Sequence, residues 1–204
     1  MAKKKKTIRN IPQERTPVRV LNPQVRVKNF EEVNCGYTLE QAQNEAERCL
    51  MCPEPACIAG CPVNINIPKF IEAITAKNIH GAYDVIAASN LLAAVCGRVC
   101  PQEDQCEIVC VLNKKKIPIN IGALERYAAD YDLVHSVQQS IVHRENKLST
   151  RIAVVGSGPA GLTCAADLAK MGYQVVLFES LHIPGGVLVY GIPEFRLPKK
   201  IVQN

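Results

Sequence analysis

Seven cysteines fall in two tight runs, Cys49-x2-Cys52-x4-Cys57-x3-Cys61-Pro62 and Cys100-Pro101-x4-Cys106-x3-Cys110. This spacing constrains the fold more than any other feature of the chain. Three closely spaced thiolates can wrap one iron–sulfur cube. The three residues before the last Cys of a run carry the chain past that cube, so the last sulfur points elsewhere. Bacterial ferredoxins use this logic in C-x2-C-x2-C-x3-C-P runs whose last Cys ligates the other cluster. Zinc is the rival occupant, but usual zinc sites pair two C-x2-C units. Here only Cys49/Cys52 has that spacing. The expected occupants are iron–sulfur clusters.

The whole chain holds 10 cysteines in 204 residues. Lys3–Lys6 lead into Thr7-Ile8-Arg9-Asn10 rather than an apolar stretch, so no secretory signal is expected and the protein is expected in the cytoplasm. Thiols stay reduced there, which favours metal ligation over disulfides. Two cubes need eight ligands and the runs supply seven cysteines. Cys96 lies one helical turn before Cys100 and either completes the set or packs in the core. Cys35 and Cys164 are expected to be small buried hydrophobes.

Hydrophobic residues make up 48% and charged residues 21%, the balance of a globular chain. No apolar run approaches the ~18–20 residues that cross a bilayer, so no membrane is expected as a partner. The net charge of +5 is concentrated in Lys3–Lys6 and Lys114–Lys116. Such runs read as solvated tails and loop tips. No basic recognition helix or interleaved aromatics accompany them, so nucleic acid is not an expected partner.

Along the chain, residues 1–36 read as an extended arm interrupted by Pro12, Pro17 and Pro23. Residues 37–146 read as short helices joined by cysteine-bearing loops. Thr38 with Gln41 forms a capping-box pattern. Pro68 opens a helix over 68–77 with Phe70, Ile71 and Ile74 inward. A third helix is predicted over 80–95, ending at Gly97. Asn120 is expected to cap a fourth that starts near Gly122 and runs to about Ser136. The polar stretch His143–Thr150 marks a boundary.

Residues 150–204 then change pattern. Ile152–Val155 is a short β-branched strand. Gly156-Ser157-Gly158-Pro159-Ala160-Gly161 follows, then a helix to about Met171 and a second strand, Gln174–Phe178. A G-x-G-x-x-G loop that follows a strand and opens a helix places backbone N–H groups against a pyrophosphate. Glu179 ends the second strand, where a carboxylate accepts from a ribose hydroxyl. An acidic residue at that point favours FAD or NAD over NADP. The fold class is therefore an α-helical, two-cluster ferredoxin-like domain followed by the β-α-β start of a Rossmann-like α/β FAD-binding domain, incomplete as a doubly wound sheet.

The order of these motifs resembles the glutamate synthase small (beta) subunit family. Its relatives include the large subunit of NADH-dependent ferredoxin:NADP oxidoreductase and the N-terminal part of dihydropyrimidine dehydrogenase. The resemblance rests on Cys49–Pro62, Cys96-Gly97-Arg98-Val99-Cys100-Pro101, Pro118-Ile119-Asn120-Ile121-Gly122, Gly156–Leu162 and Gly185–Pro198. It implies that Cys49, Cys52, Cys57 and Cys110 hold one 4Fe-4S cluster. It implies that Cys61, Cys100, Cys106 and the non-cysteine ligand Glu125 hold a second. It also implies FAD at the glycine loop, with Gly186, Val187 and Arg196 approaching the cofactor. NADPH is expected on a part of the family fold that does not lie within these 204 residues. The implied work is electron transfer between NAD(P)H, FAD and a partner active site, the partner being a glutamate synthase large subunit or an analogous redox subunit. A truncated electron-carrier or assembly module without its own turnover is the competing expectation.

Overall fold

The structure is a computed structural model that describes residue 12 and residues 14–135 and 148–203. The His143–Thr150 boundary lies mostly outside the described residues, as does Ser136 at the predicted end of the fourth helix.

The chain opens with β1 (Arg19–Val20), α1 (Pro23–Arg26) and β2 (Asn34–Gly36). Pro23 does not simply interrupt the arm. It starts α1, with the Asn22 side chain accepting from Gln24 N. A first-turn proline loses no intrahelical hydrogen bond. β1 and β2 then pair antiparallel.

α2 (Leu39–Glu47) begins as predicted, with a full capping box between Thr38 and Gln41. Ala42 and Ala46 are fully buried. After the single turn α3 (Ala56–Ala59), α4 (Ile67–Thr75) buries Ile67, Phe70, Ile71 and Ile74. Each such side chain stabilises the fold by about 1.5–3 kcal/mol over its exposed state.

The predicted 80–95 helix is two helices, α5 (Ile79–Ala87) and α6 (Ala93–Val99). Asn90 causes the break. Its side chain accepts from Leu92 N at 3.0 Å and donates to Glu125 Oε1 at 2.8 Å, so the chain turns there instead of continuing helical. Gly97 lies inside α6 rather than at its end. α7 (Ile121–His135) packs across α6, α5 and α2. At its start the Asn120 side chain donates to the Tyr37 hydroxyl, while the Glu107 carboxylate accepts from Gly122 N at 3.3 Å. The acid one residue beyond Cys106 thus serves the first turn of α7, where a negative charge is favoured.

The last part follows the predicted pattern closely. β3 (Arg151–Val155) and β4 (Gln174–Phe178) pair in parallel, Arg151 opposite Gln174 through Val155 opposite Phe178, with α8 (Pro159–Lys170) between them. α9 (Val187–Tyr190) and α10 (Lys199–Gln203) complete it. Val95 of α6 packs with Leu188 and Leu197 in a small apolar cluster, which seats this part on the helical one.

Candidate functional site

The two cysteine runs come together in an interleaved way. Cys49, Cys52 and Cys57 line one cavity, and Cys110 from the second run lines it with them. Leu50, Pro55, Ala56, Pro68, Val109, Val111 and Leu112 supply its apolar wall. α2 delivers Cys49 just past its last turn, and Cys110 precedes the 3-10 turn Val111–Lys115. Burial, with the neighbouring Cys49, Cys110 and Cys52 thiols, pushes the Cys57 thiol up to about 11. Four sulfurs around one apolar cavity form a soft donor set suited to an iron–sulfur cube. Among the described residues, no three His, Cys, Asp or Glu side chains converge as a site for a single metal ion.

Cys61 and Cys106 are buried in the core of the helical part. The Cys106 thiol is pushed up to about 12 by burial, with Glu107, Cys61 and Glu125 adding to the effect. Cys100 is raised by its hydrogen bond to Cys96, then by burial, Cys96, Glu125 and Cys106. The structure therefore brings Cys61, Cys100, Cys106 and Glu125 into one neighbourhood. Glu125 is 6% exposed on α7, and burial lifts its carboxyl to about 8, with Cys96 adding and Asn90 opposing. Cys96 sits in the same neighbourhood on α6. Its thiol donates to Asn90 Oδ1 at 3.7 Å.

A second layer holds these loops. The buried Arg48–Glu45 pair (2.5 Å) lies immediately before Cys49. Arg48 also donates to the Ile117 carbonyl at 2.7 Å, and Glu45 accepts from Asn120 N at 2.8 Å and from Thr16 N at 2.7 Å. Arg48 Nε is the one buried side-chain polar atom without a partner among the described residues. Arg15 reaches Glu107 at 2.6 Å, and the Tyr37 hydroxyl donates to the Thr16 carbonyl at 2.6 Å. The arm is thus latched beside Cys106. Apart from the i,i+3 Glu45–Arg48 pair, these partnerships had no local sequence signal, because each joins residues distant in the chain.

The glycine loop has the geometry its spacing predicts. Gly156 adopts φ +93°, a conformation most side chains avoid. A Cβ on Gly161 would lie 1.9 Å from the Gly156 carbonyl, while one on Gly156 or Gly158 would meet nothing within 4 Å. The loop is therefore closed toward its helix and open outward, as close approach of a pyrophosphate needs. Pro159 and Ala160 form the first turn of α8. Gly186 (φ +52°) packs on Gly158 and leads into Val187 at the start of α9.

Glu179 lies at the end of β4 as predicted. Its carboxylate accepts from Ser157 N at 2.9 Å, from the Ser157 hydroxyl and from Leu181 N at 2.9 Å. The Ser157 hydroxyl bond and these backbone donors hold it down at about 2. Arg196 lines a cavity with Glu32, Asn34, Arg98 and Arg126, between the arm and the α6–α7 pair. Cys164 departs from the buried reading. It is exposed on α8, none of whose residues is buried, and Cys35 is only half-buried.

A helical cysteine-rich domain joined to a strand–glycine loop–helix–strand unit defines an iron–sulfur protein with the start of a dinucleotide-binding domain. The dihydropyrimidine dehydrogenase domain II, 4Fe-4S cluster family matches residues 26–137, and the chain belongs to that family. The NAD(P)-binding Rossmann-like domain family matches residues 154–190. The chain is 38% identical over 175 residues to the NAD-dependent dihydropyrimidine dehydrogenase subunit PreT homolog of Salmonella typhi, covering 86% of this chain and 42% of that protein. It is 37% identical over 181 residues to the glutamate synthase [NADPH] small chain of Azospirillum brasilense, covering 88% and 37% respectively. The small chain of Halomonas elongata is 36% identical over 179 residues, covering 88% and 38%. The chain thus spans less than half the length of these relatives. Among the described residues no helix is long and apolar enough to cross a membrane.

Proposed function

We propose that this chain is the electron-relay portion of an NAD(P)H-dependent oxidoreductase, passing electrons between a flavin and a partner active site through two 4Fe-4S clusters. The convergence of Cys49, Cys52, Cys57 and Cys110 on one cavity carries this reading, since it requires two distant runs to be built for one occupant. In it those four side chains hold the first cluster, and Cys61, Cys100, Cys106 and Glu125 hold the second. Residues 37–146 form the iron–sulfur domain and 150–204 the start of the FAD domain.

FAD supplies the conversion between two-electron and one-electron chemistry when bound. Gly156, Gly158, Pro159, Ala160 and Gly161 present the loop and the α8 N-terminus to its pyrophosphate. Glu179 takes a ribose hydroxyl, and Gly186, Val187 and Arg196 approach the cofactor. The NADPH site belongs to the length of the relatives beyond this stretch. The names of the relatives suggest a glutamate synthase large subunit or an analogous redox subunit as the electron partner. The cytoplasm is the compartment that suits reduced thiols.

A second reading is favoured by the exposed apolar surface of the small sheet. Val155 is 85% exposed and Phe178 54% exposed on the two paired strands. A unit with that surface bare serves as a carrier or assembly module completed by further polypeptide. Counts of iron, sulfide and flavin on one anaerobically purified sample separate the readings. Iron, sulfide and stoichiometric FAD support the relay with its own flavin. Clusters without flavin support the module. A colourless protein with stoichiometric zinc would sink both.

A further inference from the structure

The neighbourhood of the second cluster holds one donor more than a cube needs. Cys61, Cys100, Cys106 and Glu125 make four, and Cys96 makes a fifth. Cys96 and Cys100 lie four residues apart along α6 and its exit, so they share one helix face. Their thiols are within hydrogen-bond reach of each other. Asn90 bridges the two competing donors directly. Its Nδ2 donates to Glu125 Oε1 at 2.8 Å, and its Oδ1 accepts from Cys96 Sγ at 3.7 Å. Gly97 lets α6 approach the Arg126 backbone on α7, which keeps Cys96 and Glu125 in this register.

We propose that Cys96 is a reserve ligand of the second cluster, able to take the iron position that Glu125 holds. The inference rests on the reading of Glu125 as a ligand. The exchange balances without a change of iron oxidation state. The iron–oxygen bond to Glu125 breaks, an iron–sulfur bond to Cys96 Sγ forms, and the thiol proton passes to the released carboxylate. Thiolate is the softer donor and is favoured by iron–sulfur clusters. Asn90, bonded to both side chains, orients the pair.

The test compares the full chain, purified anaerobically, as wild type, Glu125→Ala, Glu125→Ala/Cys96→Ala and Glu125→Ala/Cys96→Ser. Iron and sulfide are counted and the reduced proteins are examined by EPR. The first cluster's signal reports whether the helical domain is folded. Glu125→Ala is expected to keep the full iron complement with an altered second signal. The Cys96→Ala double variant is expected to lose iron and the second signal while keeping the first. A double variant indistinguishable from Glu125→Ala overturns the proposal, and so does loss of the second cluster in Glu125→Ala alone. Loss of both signals in both double variants, with both kept in Glu125→Ala, also counts against it. Two unchanged signals in Glu125→Ala would instead remove Glu125 from the ligand set and take the proposal with it.

Discussion

Gly97 and Arg126 are in backbone contact: a Cβ on Gly97 would lie 2.6 Å from the Arg126 nitrogen and 2.7 Å from its Cα. Because backbone rather than a flexible side chain is met, α6 and α7 must separate to admit even a methyl group. Gly97→Ala is expected to destabilise the helical domain by about 1–3 kcal/mol, the range for overpacking. It should also disturb the Cys96–Cys100–Glu125 neighbourhood more than the cavity of Cys49, Cys52, Cys57 and Cys110. Denaturant unfolding with EPR of both clusters checks this. An unchanged second signal at full stability would show that the approach is not required.

The interleaving of the two runs gives an asymmetric prediction. Cys110→Ala should remove the same EPR signal as Cys57→Ala, although Cys110 belongs to the second run. Cys61→Ala should remove the same signal as Cys106→Ala. Self-contained sites, one per run, would give the opposite pairing.

The Arg48–Glu45 pair is buried and ties α2 to two other segments, the arm at Thr16 and the stretch Ile117–Asn120. Removing one partner of such a pair leaves an uncompensated charge and costs about 3–5 kcal/mol. Arg48→Met is expected to fall in that range by chemical denaturation. Arg48→Met with Glu45→Leu should recover part of the loss, because no lone buried charge then remains.

His80 on α5 bonds Asp132 on α7 at 2.6 Å. This hydrogen bond, helped by the charge of Asp84, raises the His80 pKa above its ordinary value of 6.5. A raised folded value means stabilisation that is complete below the unfolded pKa and lost as pH rises through the folded one. His80 is largely exposed, so the contribution is small. An NMR titration should place His80 above 6.5, and Asp132→Asn should lower it.

Gly161 carries the close approach of α8 to the loop. Gly161→Ala is expected to lower the flavin bound per cluster while leaving iron and sulfide unchanged. Absorption spectra of the same anaerobic samples give both counts. A full flavin complement in the variant would move the cofactor away from this loop.

Much of the fold was legible locally. The Thr38–Gln41 capping box, the inward face of Phe70, Ile71 and Ile74, and the β3–α8–β4 unit all follow from spacings shorter than a few turns. The break at Asn90 was not legible, because α5 and α6 share an apolar pattern that reads as one helix. What splits them is a hydrogen bond to Glu125, far along the chain. The same holds for the arm. Its prolines suggested an extended surface segment, yet Arg15 and Thr16 bond buried acids, and Val33 N donates to the Phe195 carbonyl.

By itself the sequence pointed to the kind of chemistry: two cysteine runs whose density and spacing favour ligation over disulfides, and a glycine loop placed between a strand and a helix. Spacing along a chain limits what one segment can wrap, so those features need no partner to be read. The grouping of Cys110 with Cys49, Cys52 and Cys57 was implied by resemblance, but only tertiary structure brings the four to one cavity and sets Cys96 beside Glu125. Those pairings depend on helix packing between distant segments, set by contacts such as Gly97 against Arg126, which no local pattern encodes.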